Sequence, residues 1–239
     1  MKIALIGYGK MGKSIESIAP ERGHEVICKI SSVSTDEEWK GIKNCDIAIE
    51  FTRPDVAPEN ISKCLKLNIP VVVGTTGWIH HIEQIKRTCE EEKGALLYAS
   101  NFSLGVNIFF EINRVLAELM NNRKDYQISM TEIHHTEKLD APSGTAISLA
   151  GDIIAHNSLI SRWAEGVESK GDILGIQAER IPNVPGTHQV VYNSEIDKIT
   201  IEHVAHNRKG FALGAIIASE FLLGKQGVYT MKDVLNIKS

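Results

Sequence analysis

The chain has 239 residues, of which 43% are apolar and 23% charged, and its formal net charge is −4. This is the composition of a globular protein with an ample core, and the acidic balance argues against nucleic acid as a partner. No apolar run approaches the roughly 18 residues that a membrane span needs. No small-residue cleavage site follows the apolar start, so we expect a cytoplasmic protein without membrane contact.

The spacing of the cysteines also indicates a protein of a reducing compartment. None of the four forms a C-x-x-C pair, which is the common arrangement of a metal or redox site. We therefore expect free, mostly buried thiols in a reducing compartment, and no metal. The cysteines are Cys28, Cys45, Cys64 and Cys89.

Short apolar runs alternate with helical spacing through the first hundred residues. The predicted strands are Lys2–Ile6, Glu25–Ile30, Asp46–Phe51, Pro70–Val73 and Ala95–Ala99, and the predicted helices are Lys10–Arg22, Pro54–Leu67 and His81–Lys93. The polar run Ser31–Glu38 is predicted to be a loop. Strands that alternate with helices in this way predict an α/β fold with a parallel, doubly wound sheet.

The pattern changes after residue 104. The predicted elements are a helix at Val106–Asn122 with Phe109, Ile112, Leu116 and Leu119 on one stripe, a strand at Gln127–Ile133, a helix at Gly144–Asn157, strands at Gly171–Ala178, His188–Ser194 and Lys198–Val204, and a helix at Phe211–Gly224. Residues 105–209 are thus predicted to form an α+β domain with a mostly antiparallel sheet. Residues 1–104 form the first domain, to which residues 210–239 return.

Three glycines follow the first strand. Gly7, Gly9 and Gly12 have the Gly-x-Gly-x-x-Gly spacing between a strand and a helix. In a Rossmann-type domain the first glycine allows the tight turn, the second admits the pyrophosphate and the third lets helix and strand pack closely. We interpret this turn, with the intervening Tyr8, Lys10 and Met11, as a dinucleotide site.

The end of the second strand bears on which cofactor binds. An NAD site typically has an acid there that binds the ribose 2′-hydroxyl, but this chain has Lys29 followed by Ile30 and two serines. A cation at that position suits a 2′-phosphate, whereas a solvated lysine at a strand end carries no such meaning. Both NADPH and NADH therefore stay open as cofactors.

Two loops follow other strands of the parallel sheet, at the edge where ligands of such sheets bind. Gly74, Thr75 and Thr76 follow the fourth strand. Ala99, Ser100, Asn101 and Phe102 follow the fifth. We expect both loops to line the nicotinamide end of the cofactor.

The densest chemistry lies between residues 132 and 146. His134 and His135 end a strand, Lys138 follows, and a Pro-Ser-Gly-Thr turn opens a helix. Imidazole transfers protons near neutral pH, and a helix N-terminus presents backbone amides to an anion. We predict one ring as acid or base, the other as a hydrogen-bond donor, and Ser143, Gly144 and Thr145 as a carboxylate site in which Ser143 also caps the helix.

The remaining histidines carry weaker signals. His80 and His81 start a helix without a neighbouring cation and are expected at the surface. His203 and His206 are spaced like part of a metal site, but we expect no metal there. Arg180 and His188 flank a Pro/Gly loop, and either could close over an anionic substrate.

The glycine turn, the Gly-Thr-Thr-Gly loop, the Ser100–Asn107 run and the Glu132–Ala146 run together resemble dihydrodipicolinate reductases, and Phe211–Leu235 is also similar to that family. The resemblance implies reduction of 4-hydroxy-tetrahydrodipicolinate by NADH or NADPH on the diaminopimelate route to lysine. It also implies a homotetramer joined through the sheets of the second domain.

Residue roles follow from the same resemblance. It implies that His134 is the acid/base residue, that Lys138 donates a proton near one carboxylate of this small-molecule dicarboxylate, and that His135 contacts the substrate. Gly144 and Thr145 would bind the other carboxylate through their amides. The alternatives are an amino-acid dehydrogenase of similar build, such as an aspartate dehydrogenase, and a non-catalytic NAD(P)-binding redox regulator.

Overall fold

The structure is a computed structural model that describes residues 1–207 and 209–237. The chain divides into two compact units: Met1–Leu104 with the segment that starts at Lys209, and a second unit that starts at Gly105. None of the helices in the described ranges combines the length and apolar character needed to cross a membrane.

The elements alternate as follows in chain order. The chain begins with β1 (Lys2–Ile6), α1 (Lys10–Ile18), β2 (Glu25–Ile30), α2 (Asp36–Gly41), β3 (Ile47–Glu50), α3 (Ala57–Lys66), β4 (Val71–Val73), α4 (Ile82–Glu91) and β5 (Ala95–Tyr98). It continues with α5 (Leu104–Leu119), β6 (Gln127–His134), α6 (Gly144–His156), β7 (Arg162–Glu165), β8 (Ile173–Arg180), β9 (Gly186–Asn193) and β10 (Lys198–Ala205). It ends with α7 (Lys209–Leu222), β11 (Gly227–Tyr229) and α8 (Met231–Val234).

The first unit is built on a parallel sheet in the order β11-β5-β4-β3-β1-β2. Successive side chains of a strand point to opposite faces. Ile3 and Leu5 of β1 accordingly pack with α1 and α7, whereas Ala4 and Ile6 pack with α3 on the other face. Helices on both faces confirm the doubly wound prediction. The three-residue β11 is too short to give a strand pattern and was not predicted.

The predicted loop at Ser31–Glu38 is wrong from Asp36 onward, where α2 begins. Thr35 caps this helix, because its Oγ1 accepts the Glu38 amide hydrogen at 3.3 Å. The Glu38 carboxylate in turn accepts the Thr35 amide hydrogen at 2.7 Å. Thr-x-x-Glu is the capping-box spacing, so the sequence did contain a local signal for this helix.

The second unit has a mixed sheet in the order β10-β9-β6-β8-β7. β9 is antiparallel to β10 and β6, but β8 is parallel to β6 and β7. The prediction of a mostly antiparallel sheet is therefore wrong. The reason is that α6 carries the chain back from the end of β6 to β7, a four-residue strand that was not predicted.

Helices α5 and α6 cover one face of this mixed sheet. The apolar stripe predicted for α5 is partly wrong, since Ile112 and Leu119 are exposed. Its buried side instead contains Phe109, Asn113 and Ala117. Asn113 Nδ2 donates a hydrogen bond to the Leu149 carbonyl of α6 at 3.0 Å, and hydropathy cannot anticipate a buried polar contact of this kind.

The cysteines are free in the described structure, three of them buried and Cys28 half-buried, as predicted. Burial raises the pKa of Cys45 to about 12. Its thiol is therefore protonated at neutral pH and unreactive.

Glu50, at the end of β3, is fully buried, and desolvation raises its pKa despite hydrogen bonds from neighbouring threonines. A glutamate in an unfolded chain has a pKa of about 4.3. The Glu50 contribution to stability therefore falls as the pH rises above that value and levels off beyond the folded pKa.

We expect Glu50→Gln to remove this loss. In urea unfolding, the free energy of unfolding of Glu50→Gln relative to wild type should therefore grow between pH 4.5 and 8. The exposed control Glu91→Gln should show no such growth, and a constant or shrinking advantage for Glu50→Gln would contradict the prediction.

Candidate active site

The glycine turn between β1 and α1 is tightly packed at its first and third glycines and open at the second. Gly7 has φ +92°, and a Cβ there would lie 2.0 Å from the Phe51 carbonyl oxygen. A Cβ on Gly12 would lie 2.5 Å from the Gly7 carbonyl oxygen, whereas one on Gly9 would meet no atom within 4 Å. The exposed backbone at Gly9, which is the N-cap of α1, suits the pyrophosphate of a dinucleotide.

Two clefts follow the carboxyl ends of the parallel strands. The smaller, of about 360 Å³, is lined by the predicted residues Gly9, Lys10, Met11, Gly74, Thr75 and Thr76, together with Phe51, Thr52 and Pro54. The larger, of about 710 Å³, is lined by Gly7, Tyr8, Ser31, Ser32, Thr52 and Arg53 among others. Thr52 and Arg53 were not predicted, although they follow β3 and the rule that ligands bind at strand ends applies to them as well.

The loop after β4 is held in place from two sides. Thr75 is buried and its Oγ1 accepts the Thr52 amide hydrogen at 2.7 Å, while its carbonyl accepts the Trp78 indole hydrogen at 2.8 Å. Gly74 lies against the Phe51 ring, because a Cβ on Gly74 would lie only 2.0 Å from that ring. This leaves the exposed Thr76 at the surface of the smaller cleft.

The four residues after β5 line neither of these two clefts. Ala99 is half-buried, Ser100 is exposed, and Asn101 Oδ1 accepts the Ser103 amide hydrogen at 2.8 Å. Phe102 is buried and packs on Phe51 with ring centroids 5.8 Å apart. The Phe102 side chain therefore belongs to the core of the first unit.

Lys29 is engaged with neighbouring groups of the first unit. Its Nζ lies 2.6 Å from Glu16 Oε1 and 4.5 Å from the centroid of the Tyr8 ring. The Tyr8 hydroxyl donates to the other oxygen of Glu16. The Lys29 charge is thus partly neutralised by a carboxylate at the place where a 2′-phosphate would need it.

In the second unit the candidate residues are arranged around Glu132, which the sequence analysis did not single out. Glu132 is fully buried. Its Oε1 accepts hydrogen bonds from the Ser143 amide at 3.0 Å and from Arg180 Nη2 at 3.2 Å, and its Oε2 lies 3.2 Å from His134 Nδ1. Burial alone would raise the pKa of Glu132, but the contacts with His134 and Ser143 outweigh burial and hold the pKa at about 2.

The tandem histidines at the end of β6 have different surroundings. His134 is buried, and its ring lies edge-on to His188 with centroids 5.1 Å apart. His135 is half-buried and lines a cleft of about 380 Å³ with Pro182, Asn183 and His206 among others. The structure thus gives the two rings separate positions, as expected for adjacent strand residues.

Lys138 lies in the loop after β6 and forms an ion pair. Its Nζ is 2.7 Å from Asp140 Oδ2, and the Lys138 side chain is 20% exposed. Arg180 fastens this loop, because it donates to the Lys138 carbonyl at 3.3 Å and to the Asp140 carbonyl at 2.7 Å. The Lys138 ammonium is therefore positioned by its own loop.

Ser143 is the N-cap of α6, as predicted. Its Oγ accepts the Ala146 amide hydrogen at 3.1 Å and lies 3.0 Å from His188 Nε2. Burial, followed by the charge of His134, lowers the pKa of His188 to about 4. A neutral His188 can therefore accept the Ser143 hydroxyl hydrogen. The next residue, Gly144, is exposed with open space around its Cβ position, which leaves the helix N-terminus accessible.

Glu132, His134 and His188 each direct one potential metal-ligand atom to a common point, with these atoms within 4.8 Å of one another. The Arg180 guanidinium on the same carboxylate adds positive charge there, and Ser143 occupies His188 Nε2. This donor set favours a hydrogen-bonded ion network over a divalent cation. Among the other histidines, His203 packs near Phe109, and His80 stacks on His81 with ring centroids 4.2 Å apart.

Comparisons with known proteins cover both units. Residues 1–102 match the N-terminal family model and residues 105–235 the C-terminal family model of dihydrodipicolinate reductase. The 4-hydroxy-tetrahydrodipicolinate reductase of Christiangramia forsetii is 48% identical over 236 residues, which cover 99% of this chain and 98% of that protein. The one from Thermosipho africanus is 34% identical, with 98% of each chain covered. A solved structure, dipicolinate-bound dihydrodipicolinate reductase from Paenisporosarcina sp. TG-14, has a TM-score of 0.82 at 21% identity, covering 100% of this chain and 99% of that one.

The fold and these matches first define a class, the NAD(P)H-dependent oxidoreductases with a Rossmann-type sheet. Within that class the chain belongs to the dihydrodipicolinate reductase family. The resemblance predicted from the sequence is thereby confirmed, and so is NADH or NADPH as the cofactor. The open backbone at Gly9 and the two clefts fit a cofactor of this kind.

The glycine turn generates a matched pair of variants. Gly9→Ala adds a methyl group in open space, so we expect it to fold normally and to weaken NAD(P)H binding about tenfold or more by keeping the pyrophosphate off the backbone. Gly7→Ala forces a contact of 2.0 Å with the Phe51 carbonyl oxygen at φ +92°, and we expect it to lower the melting temperature. Cofactor titration by fluorescence and thermal unfolding separate the two. Unchanged affinity in Gly9→Ala would contradict the assignment of this turn.

Proposed function

We propose that this protein reduces 4-hydroxy-tetrahydrodipicolinate to tetrahydrodipicolinate with NADH or NADPH, on the diaminopimelate route to lysine. The observation that carries the proposal is the buried Glu132, which holds both His134 and the turn that opens α6 on one carboxylate. A proton donor and an anion site are thereby fixed on one scaffold. Reduction of a carboxylated ring requires both a proton donor and an anion site.

A dicarboxylate needs two anion sites, and the second unit offers them. We assign one carboxylate to Lys138 and the other to the N-terminus of α6, where Ser143, Gly144 and Thr145 supply the capped turn and its amides. His135 is assigned to substrate contact because it lines the cleft beside this loop. The second unit is thus the substrate domain in this proposal.

The first unit is assigned to the dinucleotide. Gly7, Tyr8, Gly9, Lys10, Met11 and Gly12 would form the pyrophosphate turn, and Gly74 to Thr76 would border the nicotinamide in the smaller cleft. The assignment of Ala99 to Phe102 to the nicotinamide rests on the sequence alone, since these residues line neither of the two clefts. When bound, NAD(P)H supplies a hydride. Because Lys29 is paired with Glu16, we do not propose that Lys29 restricts the protein to NADPH.

The proton balance defines the task of His134. The substrate carries a hydroxyl that the product lacks, so the reaction takes up one hydride and one proton and releases water. We assign delivery of that proton to His134 as the acid/base residue, with Lys138 as a second donor near a carboxylate.

The test is a coupled assay with freshly generated 4-hydroxy-tetrahydrodipicolinate that follows loss of nicotinamide absorbance with NADH and NADPH separately. We expect substrate-dependent oxidation with both cofactors. A protein that binds the cofactor but shows no oxidation with either would contradict the proposal and favour a redox regulator or an amino-acid dehydrogenase.

His134→Gln and Lys138→Ala test the proton path. We expect each variant to fold and bind cofactor normally and to lose about 10²–10⁴-fold in kcat, the usual contribution of a positioned acid. His80→Gln is the matched control, since it changes one ring of the other tandem pair in the first unit. Full activity in both His134→Gln and Lys138→Ala would exclude the proposed path.

We also propose a homotetramer assembled through the mixed sheet, in the cytoplasm. Helices α5 and α6 pack on one face of that sheet, and on the other face Ile133 and Val191 are only half-buried while Val204 is exposed. Light scattering should give a mass near four chains of 26.4 kDa each. A monomeric mass at micromolar concentration would contradict this assembly.

A further inference from the structure

We propose that Glu132 is a positioning residue for the reaction: its carboxylate keeps a hydrogen on His134 Nδ1 and leaves Nε2 as the atom that delivers the proton. This inference rests on the proposed function, since His134 acts as the acid only there. It assigns no direct contact between Glu132 and the substrate.

The first support is the register of the strands. Glu132 and His134 are two residues apart on β6, so their side chains lie on the same face of the sheet. Glu132 pairs with His188 of β9, and His134 pairs with Arg180 of β8. This arrangement places Glu132 Oε2 at 3.2 Å from His134 Nδ1, an ion-pair contact between two buried atoms rather than an aligned hydrogen bond. A fully buried carboxylate that stays ionised at neutral pH favours a hydrogen on the nitrogen that faces it.

The second support is the space beside the other ring nitrogen. A Cβ at position 186 would lie 3.1 Å from His134 Nε2 and 3.3 Å from its Cδ2. Gly186, the first residue of β9, therefore leaves room on the Nε2 edge that any other residue would reduce. Nδ1 thus faces the Glu132 carboxylate, and Nε2 faces the position at which residue 186 has no side chain.

The third support is that the other oxygen of Glu132 positions the rest of the site. Oε1 accepts from the Ser143 amide, which opens α6, and from Arg180. Arg180 in turn donates to the carbonyls of Lys138 and Asp140. One carboxylate therefore orients the proton donor, the carboxylate turn and the lysine loop together.

Several charged and titratable groups surround His134. Glu132 is its anionic neighbour on β6, and the nearby cations are Arg180 at the end of β8 and Lys138 in the loop after β6, the latter paired with Asp140. His188 on β9 is neutral at pH 7 because burial lowers its pKa, and burial also lowers the pKa of His203 on β10.

The wild-type protein allows a direct test by ¹⁵N NMR of histidine-labelled enzyme, with His134→Gln used to assign the ring. We expect neutral His134 to carry its hydrogen on Nδ1 and to release its second proton from Nε2. A neutral ring protonated on Nε2 would overturn the inference. This measurement needs only the folded protein and does not depend on turnover.

Glu132→Gln tests the consequence for the reaction, with Glu91→Gln, exposed on α4 of the first unit, as the control. The amide keeps an oxygen for the Ser143 hydrogen bond but loses the charge. We expect cofactor affinity within about twofold of wild type and a kcat lower by about 10²-fold or more, because no carboxylate then orients the His134 ring. A kcat within about threefold of wild type would overturn the inference. If Glu132→Gln does not fold, the wild-type tautomer decides.

These outcomes separate the inference from the proposed function. Failure of the wild-type enzyme to reduce 4-hydroxy-tetrahydrodipicolinate would refute the function, whatever the tautomer. An active wild type whose His134 hydrogen resides on Nε2 would keep the function and remove the positioning role of Glu132.

Discussion

The carboxylate of Glu132 is enclosed by protein, and an enclosed anion is stable only if donors and cations surround it. Here they come from the start of α6, from Arg180 at the end of β8 and from His134 on the same strand. The contacts with His134 and Ser143 keep the pKa of Glu132 at about 2 although burial opposes it. Because these partners come from β6, β8 and the start of α6, one carboxylate holds the elements of the proposed substrate site in one arrangement.

The sequence predicts those parts of the molecule whose signal is local. The glycine turn, the alternation of strands with helices and the serine cap of α6 each depend on residues a few positions apart, and the structure confirms all three. The capping box at Thr35 is equally local, and only the polar composition around it led to the prediction of a loop. Such errors can be corrected from sequence patterns alone.

The core of the candidate site is different, because strand register creates it. Arg180 and His188 are tens of residues from Glu132 in the sequence and become its neighbours only because β8 and β9 flank β6. The sequence indicates Arg180 and His188 only as residues that could close over an anion, and it carries no separate signal for Glu132. The pairing of β6 with β8 on one side and β9 on the other is a long-range property that no local pattern reveals, so the network could not be assembled from one sequence.

Because Lys138 is already paired with Asp140, an anion that enters the proposed substrate site must replace the Asp140 carboxylate. The ammonium already has a tethered carboxylate 2.7 Å away, so an incoming carboxylate must replace an internal competitor and return Asp140 to water. A single weak anion gains little from that exchange, since the competitor is always present at high effective concentration. A ligand that holds the N-terminus of α6 at the same time gains a chelate advantage. The loop thereby favours dicarboxylates over the abundant monovalent anions of a cell.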